Sequence, residues 1–291
     1  MTDFELVSDY KHIEKLRISF NQLASQCFGI DFERWYQAGF WNENYICYSF
    51  KHDNRIVSNV SVSKLNWIIE GKEYRALQIG TVMTAPEFRK QGLACRLMKF
   101  VLDTYQDWFD VIYLFPEDDA LGFYEKLGFQ FSSDYTFRYP ILNAGSSLTP
   151  RKLNLLKTSD RDLFLSLEEK RTLRSVKFDV TNSRHILTWF GVYMLADCIY
   201  YIEESHLIVL GRTNGDELHL YDVITEKPCS LQDVIGAIST SEIRNVILHF
   251  TPGFTDIDHN LLVPQTNENI CIMTSDTKIP EIFAHPFTAH A

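Results

Sequence analysis

Arg89, Gly92 and Ala94 form an Arg-x-x-Gly-x-Ala turn inside the window Gly80 to Met98, between an apolar run and an amphipathic one. A helix that starts there leaves about four first-turn N–H groups without intrahelical partners. With the helix dipole, those amides form a ready site for an anion. Gly92 removes the side chain that would hold a phosphate at a distance, and Ala94 keeps the turn close to its neighbours. Arg89 and Lys90 add positive charge to a chain whose formal net charge is −10. The ligand implied is a phosphate or pyrophosphate. Neither Gly-x-Gly-x-x-Gly nor Gly-x4-Gly-Lys-Ser/Thr occurs, so the common dinucleotide and nucleoside-triphosphate cradles are not supported.

The elements around that turn are legible. Phe4 to Tyr10 reads as a strand, residues 11–27 as an amphipathic helix, and Asp31 as the cap of a second helix running to Gly39. Tyr45–Phe50, Arg55–Trp67 and Tyr74–Met83 are rich in β-branched and aromatic residues and are separated by polar turns, which predicts an antiparallel meander. A helix follows from about Gly92 with Leu93, Leu97, Val101 and Tyr105 on one face. Phe109–Phe115 has the near-continuous apolar pattern of a strand covered on both sides. A helix over 119–126 and a strand over Phe129–Tyr139 close the unit. This is an α+β fold, a mixed and mostly antiparallel sheet with helices on its faces.

Residues 141–150 are small, polar and flanked by prolines, the composition of a linker between residues 1–140 and residues 151–291. Beyond it the element order starts again: a strand near 151–157, helices over 160–171 and 182–194, and strands at 198–203, 206–212 and 217–224. A helix at 231–239 and a strand at 244–250 complete it. Between Ile224 and Leu231 lies Thr-Glu-Lys-Pro-Cys-Ser, with no glycine to admit a pyrophosphate. The second half is therefore expected to bind no such ligand and to wall an acceptor pocket or dock subunits, so a homo-oligomer is allowed.

The 291 residues, 45% hydrophobic and 23% charged, belong to an ordinary globular composition. An acidic chain without a basic patch is a poor ligand for nucleic acid or anionic lipid. No run approaches the roughly 20 apolar residues of a spanning helix. The N-terminus, with Asp3, Glu5 and Asp9, lacks the basic start of a leader. Six scattered cysteines without a Cys-x-x-Cys suggest a reducing, cytoplasmic setting and no metal site.

With Pro86 just after the strand, the Arg89–Ala94 turn resembles the signature of the GNAT superfamily of acetyl-CoA-dependent N-acetyltransferases. A second stretch, Ala120-Leu-Gly-Phe-Tyr124-Glu-Lys-Leu-Gly-Phe129, resembles the family's Ala-x-x-x-Tyr-x-x-x-Gly-Phe. Together they cover about residues 45–139. The stretch Phe115–Ala120 is closer to the tandem, enhanced-intracellular-survival branch, whose second domain is a degenerate acetyltransferase-like one. The resemblance implies the acyl-CoA N-acyltransferase fold and acetyl-CoA as co-substrate. Backbone groups of Val82, Met83 and Thr84 would bond the pantetheine arm. Amides of Lys90, Gln91, Gly92, Leu93, Ala94 and Cys95 would hold the pyrophosphate, with Arg89 and Ala120 also on the cofactor side. Tyr124 would face the sulfur as general acid, which suits the need to protonate a leaving thiolate. One departure is Glu117, where many members have an asparagine seven residues before the tyrosine.

The implied reaction is direct attack by a primary amine of a small, cationic acceptor on the thioester in a ternary complex. A non-catalytic acyl-CoA sensor and a protein-lysine acetyltransferase are the alternatives. Asp31, Glu33, Glu43 and Glu117 are candidate bases, and in the similar two-domain branch the terminal carboxylate, here on Ala291, can reach the site. The aromatics Trp35, Tyr36, Phe40, Trp41 and Tyr45 either line the acceptor pocket or pack the core.

Overall fold

The computed structural model describes residues 4–141, 150–238, 242–274 and 276–291. The expected meander is present: β1 (Glu5–Ser8), β2 (Tyr45–His52), β3 (Arg55–Ile69) and β4 (Lys72–Thr84) pair in that order, each antiparallel to the next. Positive φ at Asp53 and Asn54, and at Glu70 and Gly71, gives both hairpins the left-handed central residues that match strand twist. Between β1 and β2 lie α1 (Glu14–Phe28) and α2 (Glu33–Gln37), and the Asp31 carboxylate accepts the Glu33 amide at 2.9 Å. From β4 the chain crosses through α3 (Leu93–Tyr105) to β5 (Val111–Leu114), which runs parallel to β4. Leu93, Leu97, Met98, Val101 and Tyr105 are the buried stripe of α3. The helix expected over 119–126 is split, a 3-10 turn at Asp118–Ala120 followed by α4 (Leu121–Glu125), before β6 (Gln130–Pro140).

The second half contains β7 (Arg151–Lys152), α5 (Thr158–Glu169), β8 (Phe178–Thr181), α6 (Arg184–Val192), β9 (Ile199–Ile202), β10 (Leu207–Asn214) and β11 (Glu217–Thr225). It ends with α7 (Leu231–Ile238), β12 (Asn245–Leu248) and β13 (Val263–Met273). The strand expected over 151–157 stops at Lys152, because the Asp160 carboxylate accepts the Asn154 amide at 3.0 Å and turns the chain. Most of the expected linker, residues 142–149, lies outside the described residues.

Two strands absent from the sequence reading join the halves. β8 pairs with the end of β3, and β13 lies between β5 and β6. β6 in turn pairs with β12, so the sheet runs β1-β2-β3-β4-β5-β13-β6-β12-β11-β10-β9-β7. One core beneath it draws Phe20, Trp35 and Trp67 from the first half and Phe164, Phe178 and Phe190 from the second. The other face is packed by α3 on the first half and by α7 on the second.

The segment 283–291 is laid across this shared sheet by specific bonds. Asp134 accepts the His285 amide at 2.7 Å, and the amide of Ala284 donates to the Thr251 hydroxyl at 2.9 Å. The Phe287 amide donates to the His249 carbonyl at 2.9 Å, and the Thr288 hydroxyl donates to Asp222 at 2.8 Å. Asp222 is fully buried and is balanced by Arg171 and Arg174, as buried charge requires.

Candidate active site

β4 and β5 pair only over Ala76–Gln78 and Val111–Tyr113. Beyond those residues β4 continues to Thr84 with no strand paired on that side among the described residues, which leaves a wedge between the strands. A bulge sits in this stretch: the register against β3 jumps between Asn59 and Ser61, and Thr81 takes φ +49°. Such an insertion bends the strand and re-aims its groups. Asn59 Nδ2 donates to the Thr81 carbonyl at 2.9 Å, and the Tyr45 and Thr81 hydroxyls bond at 2.8 Å, holding the bulge.

The wedge opens into a cavity of about 580 Å³. Of the residues singled out from sequence, Val82, Ala94, Glu117, Ala120 and Tyr124 line it. Met83, Thr84, Arg89, Lys90, Gln91, Gly92, Leu93 and Cys95 lie outside its lining, around the start of α3. There the Arg89 Nε donates to the Thr84 carbonyl at 3.1 Å and closes the turn. Gly92 is the N-cap of α3 at φ +76°, with open space where a Cβ would stand. Its glycine is therefore explained by backbone conformation rather than by crowding. The first helical bond runs from the Arg96 amide to the Gly92 carbonyl at 3.0 Å. Among the described residues no protein acceptor meets the amides from Lys90 to Cys95. Residues 89–92 are exposed, Leu93 is buried, and Ala94 and Cys95 are half-buried.

Tyr124 is 6% exposed. Burial, then the Cys271 thiol and the Glu117 carboxylate, push its phenol up to about 12, so it keeps its proton at any ordinary pH. Among the acidic candidates, Glu117 lines the cavity, as does Asp119. Asp31 and Glu33 do not: Asp31 accepts from Tyr193 Oη, and Glu33 is paired with Arg17 at 3.0 Å. Glu43 is also absent from the lining. The aromatic cluster divides, with Trp35 and Tyr45 in the cavity wall, Phe40 and Trp41 in the core, and Tyr36 under the Arg17 guanidinium at 3.9 Å.

The remaining wall comes from the second half, and of it Ala291 was named from sequence, as a terminal carboxylate able to reach the site. His185, Ile186 and Trp189 of α6 and residues 290–291 complete the cavity. His290 stacks on Phe115, ring centroids 3.8 Å apart, and burial lowers its pKa to about 3. Donor atoms of Asp134, Glu268 and His290 converge within 4.8 Å of one another beside it. Nothing local in the sequence links these residues. Only the β13 insertion and the 283–291 strap bring them to the wedge.

At the equivalent strand-to-helix turn of the second half, the amides of Leu231 and Gln232 donate to the Asp256 carboxylate at 2.6 and 3.1 Å. The chain's own anion occupies the start of α7.

Residues 13–132 match the family model described as Acetyltransferase (GNAT) domain. That part of the chain is similar to a GNAT acetyltransferase domain. The fold likeness runs further than the family model. A probable N-acyltransferase of Enterococcus faecalis V583 superposes with a TM-score of 0.62 at 16% identity, over 94% of this chain and 72% of that one. A GCN5-related N-acetyltransferase of Kribbella flavida gives 0.57 at 15% identity, over 93% of this chain and 70% of that one. Eis1 of Mycobacterium abscessus gives 0.57 at 10% identity, over 94% and 74%. The fold likeness thus extends past the part matched by the family model and over the second half of the chain. A comparison of the sequence with curated proteins gives no match. Among the described residues no helix is long and apolar enough to cross a membrane.

Proposed function

We propose that the protein transfers an acetyl group from acetyl-CoA to a primary amine by direct attack in a ternary complex. The observation that carries this reading is the wedge between β4 and β5, which has Tyr124 in its wall and the unpartnered first-turn amides of α3 beside it. In this reading the amides of Lys90 to Cys95 hold the pyrophosphate, and the wedge-side edge of Val82–Thr84 hydrogen-bonds the pantetheine amides as an added strand would. Arg89 fixes the turn through Thr84 and lends charge to the phosphate side. Ala94 and Ala120 leave room for the arm.

The acetyl carbonyl then lies near the bulge, where a main-chain N–H stabilises the oxyanion. The amine attacks the carbonyl carbon and the C–S bond breaks as the tetrahedral intermediate collapses. The departing thiolate takes the proton of Tyr124, and the amine's proton passes to a cavity carboxylate or to water. Glu117 is the carboxylate side chain named from sequence that lines this space. The second half, its α7 turn filled by Asp256, holds no acyl carrier and supplies the far wall. The test follows thiol release from acetyl-CoA with a panel of amines, alongside calorimetry with CoA. Acceptor-dependent thiol release supports the reading. Folded protein that takes up no CoA removes it, and CoA uptake without any acceptor-dependent release leaves a sensor instead.

A further inference from the structure

One side of the cavity is walled by Phe28, Phe32, Trp35, Tyr45, Ile186 and Trp189. The rings form a continuous surface. Phe32 stacks on Tyr45 at 5.8 Å and 22°, and lies 6.0 Å from Trp189, while Trp35 meets Tyr45 edge-on at 5.5 Å. Their polar atoms are already engaged inside the protein. Trp35 Nε1 donates to the His185 carbonyl at 2.9 Å, Trp189 Nε1 to the Asp31 carbonyl at 3.4 Å, and the Tyr45 hydroxyl bonds Thr81. What the wall offers a ligand is therefore ring surface. The wall carries no charged side chain either: Glu117 and Asp119 of the lining come from the segment after β5, and the Ala291 carboxylate lies at the Gly80 end of the cavity. The adjoining His185 is 1% exposed and held neutral by burial.

We propose that the acceptor is a monoamine carried on a flat, apolar body, a ring with a short chain, and that Trp189 and Ile186 of the second half select it. This rests on the acetyl-transfer reading above. The Tyr45–Thr81 bond sets the aromatic wall directly against the β4 bulge. A ring lying on Phe32 and Trp189 thus points its amine toward Gly80 and the thioester. Ring-on-ring contact is favourable beyond area burial. A polyamine or aminoglycoside would lay further ammonium groups against the same surface, desolvated and without a counter-charge, which is strongly unfavourable.

The full chain is assayed by thiol release from acetyl-CoA with 2-phenylethylamine, tryptamine, spermidine and kanamycin. The two ring-bearing amines are expected to give kcat/KM about 100-fold above the polycations. Trp189→Ala should raise the KM for tryptamine roughly 10- to 100-fold, the loss of one large apolar contact. Its Kd for acetyl-CoA by calorimetry should move less than about twofold. Trp189→Glu, which places a carboxylate on the wall, should shift the spermidine-to-tryptamine ratio at least about tenfold toward spermidine. Trp189 is half-buried, and a thermal melt of each variant confirms that it is folded. Preference for spermidine or kanamycin in the unmodified chain overturns the proposal, as does a tryptamine KM indifferent to both Trp189 variants. Better use of octanoyl-CoA than acetyl-CoA, lost in Trp189→Ala, also overturns it, because the wall would then hold the acyl chain. In each of these cases acetyl-transfer itself survives, whereas absence of acetyl-CoA binding removes both.

Discussion

A methyl group on Gly80 would stand 2.8 Å from both the carboxylate carbon and a carboxylate oxygen of Ala291. Real Cβ atoms do not approach main chain so closely, so the wedge strand and the end of the 283–291 strap are fitted to each other. Gly80→Ala must push the strap away or distort the bulge beside it. Small-to-large changes in a packed interior cost about 1–3 kcal/mol, and a displacement near 1 Å beside a reacting centre costs about 100-fold in rate. The expected outcome is a kcat lowered at least about tenfold, with CoA affinity measured by calorimetry changed little. A variant with unaltered kcat would mean that the Ala291 contact has no bearing on turnover.

Tyr124→Phe separates chemistry from binding. The phenol is held up to about 12 by burial, so it remains a proton donor across the working range and contributes no falling limb to the rate profile below about pH 10. Loss of a positioned acid lowers kcat about 100-fold or more, while a ring of the same shape leaves the KM for acetyl-CoA within about twofold. Equal losses in both constants would show that Tyr124 only packs.

Gly92→Asp tests the amides of α3. Aspartate tolerates the left-handed conformation at a cost of about 1 kcal/mol, and at an N-cap its carboxylate recovers much of that by accepting first-turn N–H groups. The fold should keep its melting temperature to within a few degrees. CoA affinity should fall at least about 100-fold, because a fixed negative charge then occupies the phosphate position. Undiminished CoA binding in calorimetry would place the pyrophosphate elsewhere.

In the second half the start of α7 already carries such a carboxylate. Asp256 accepts the Leu231 and Gln232 amides there. Asp256→Ala should lower stability by about 1 kcal/mol through the lost cap. It should leave a stoichiometry of one CoA per chain, since no glycine turn accompanies the vacated amides. A second bound CoA in the titration would show that the carboxylate alone had blocked a working site.

The meander, the β4–α3–β5 crossover and the Arg89–Ala94 turn were legible because each rests on local chemistry: alternation, turn residues, an apolar stripe, a glycine at positive φ. Tyr124 was singled out differently, through the resemblance of the Ala120–Phe129 stretch to the GNAT pattern. β13 was not, since its first residues, Val-Pro-Gln-Thr-Asn-Glu-Asn, are mostly exposed and rich in types that strands disfavour. Only Ile270 to Ile272 are buried, and their partners Leu114 and Phe131 are more than a hundred residues away in the chain. The rest of the far wall, Ile186, Trp189 and His290, was hidden for the same reason, whereas Ala291 came from the resemblance to the two-domain branch. Trp189 reads as one more apolar residue of α6 until β8 pairs with β3 and sets that helix over the wedge.

The anchor of the strap gives a prediction in pH. Asp134 is 1% exposed, and burial raises its carboxyl to about 7 despite the His285 and Asn267 donors that favour the anion. Its neighbour Glu268 is raised as well, by burial and by Glu117, so the two share a preference for holding protons. Between the unfolded value near 3.9 and the folded value near 7, the native state keeps a proton that the unfolded chain has released. Stability contributed by this group therefore falls as pH rises through that window and levels off above it. The size is on the order of a few kcal/mol. In Asp134→Asn the side-chain amide would retain an oxygen for the His285 N–H and carry no charge. The melting temperature of that variant relative to the unmodified chain should therefore climb steadily from about pH 4 to about pH 8. A constant difference over that range would mean that Asp134 is ionised in the folded protein throughout.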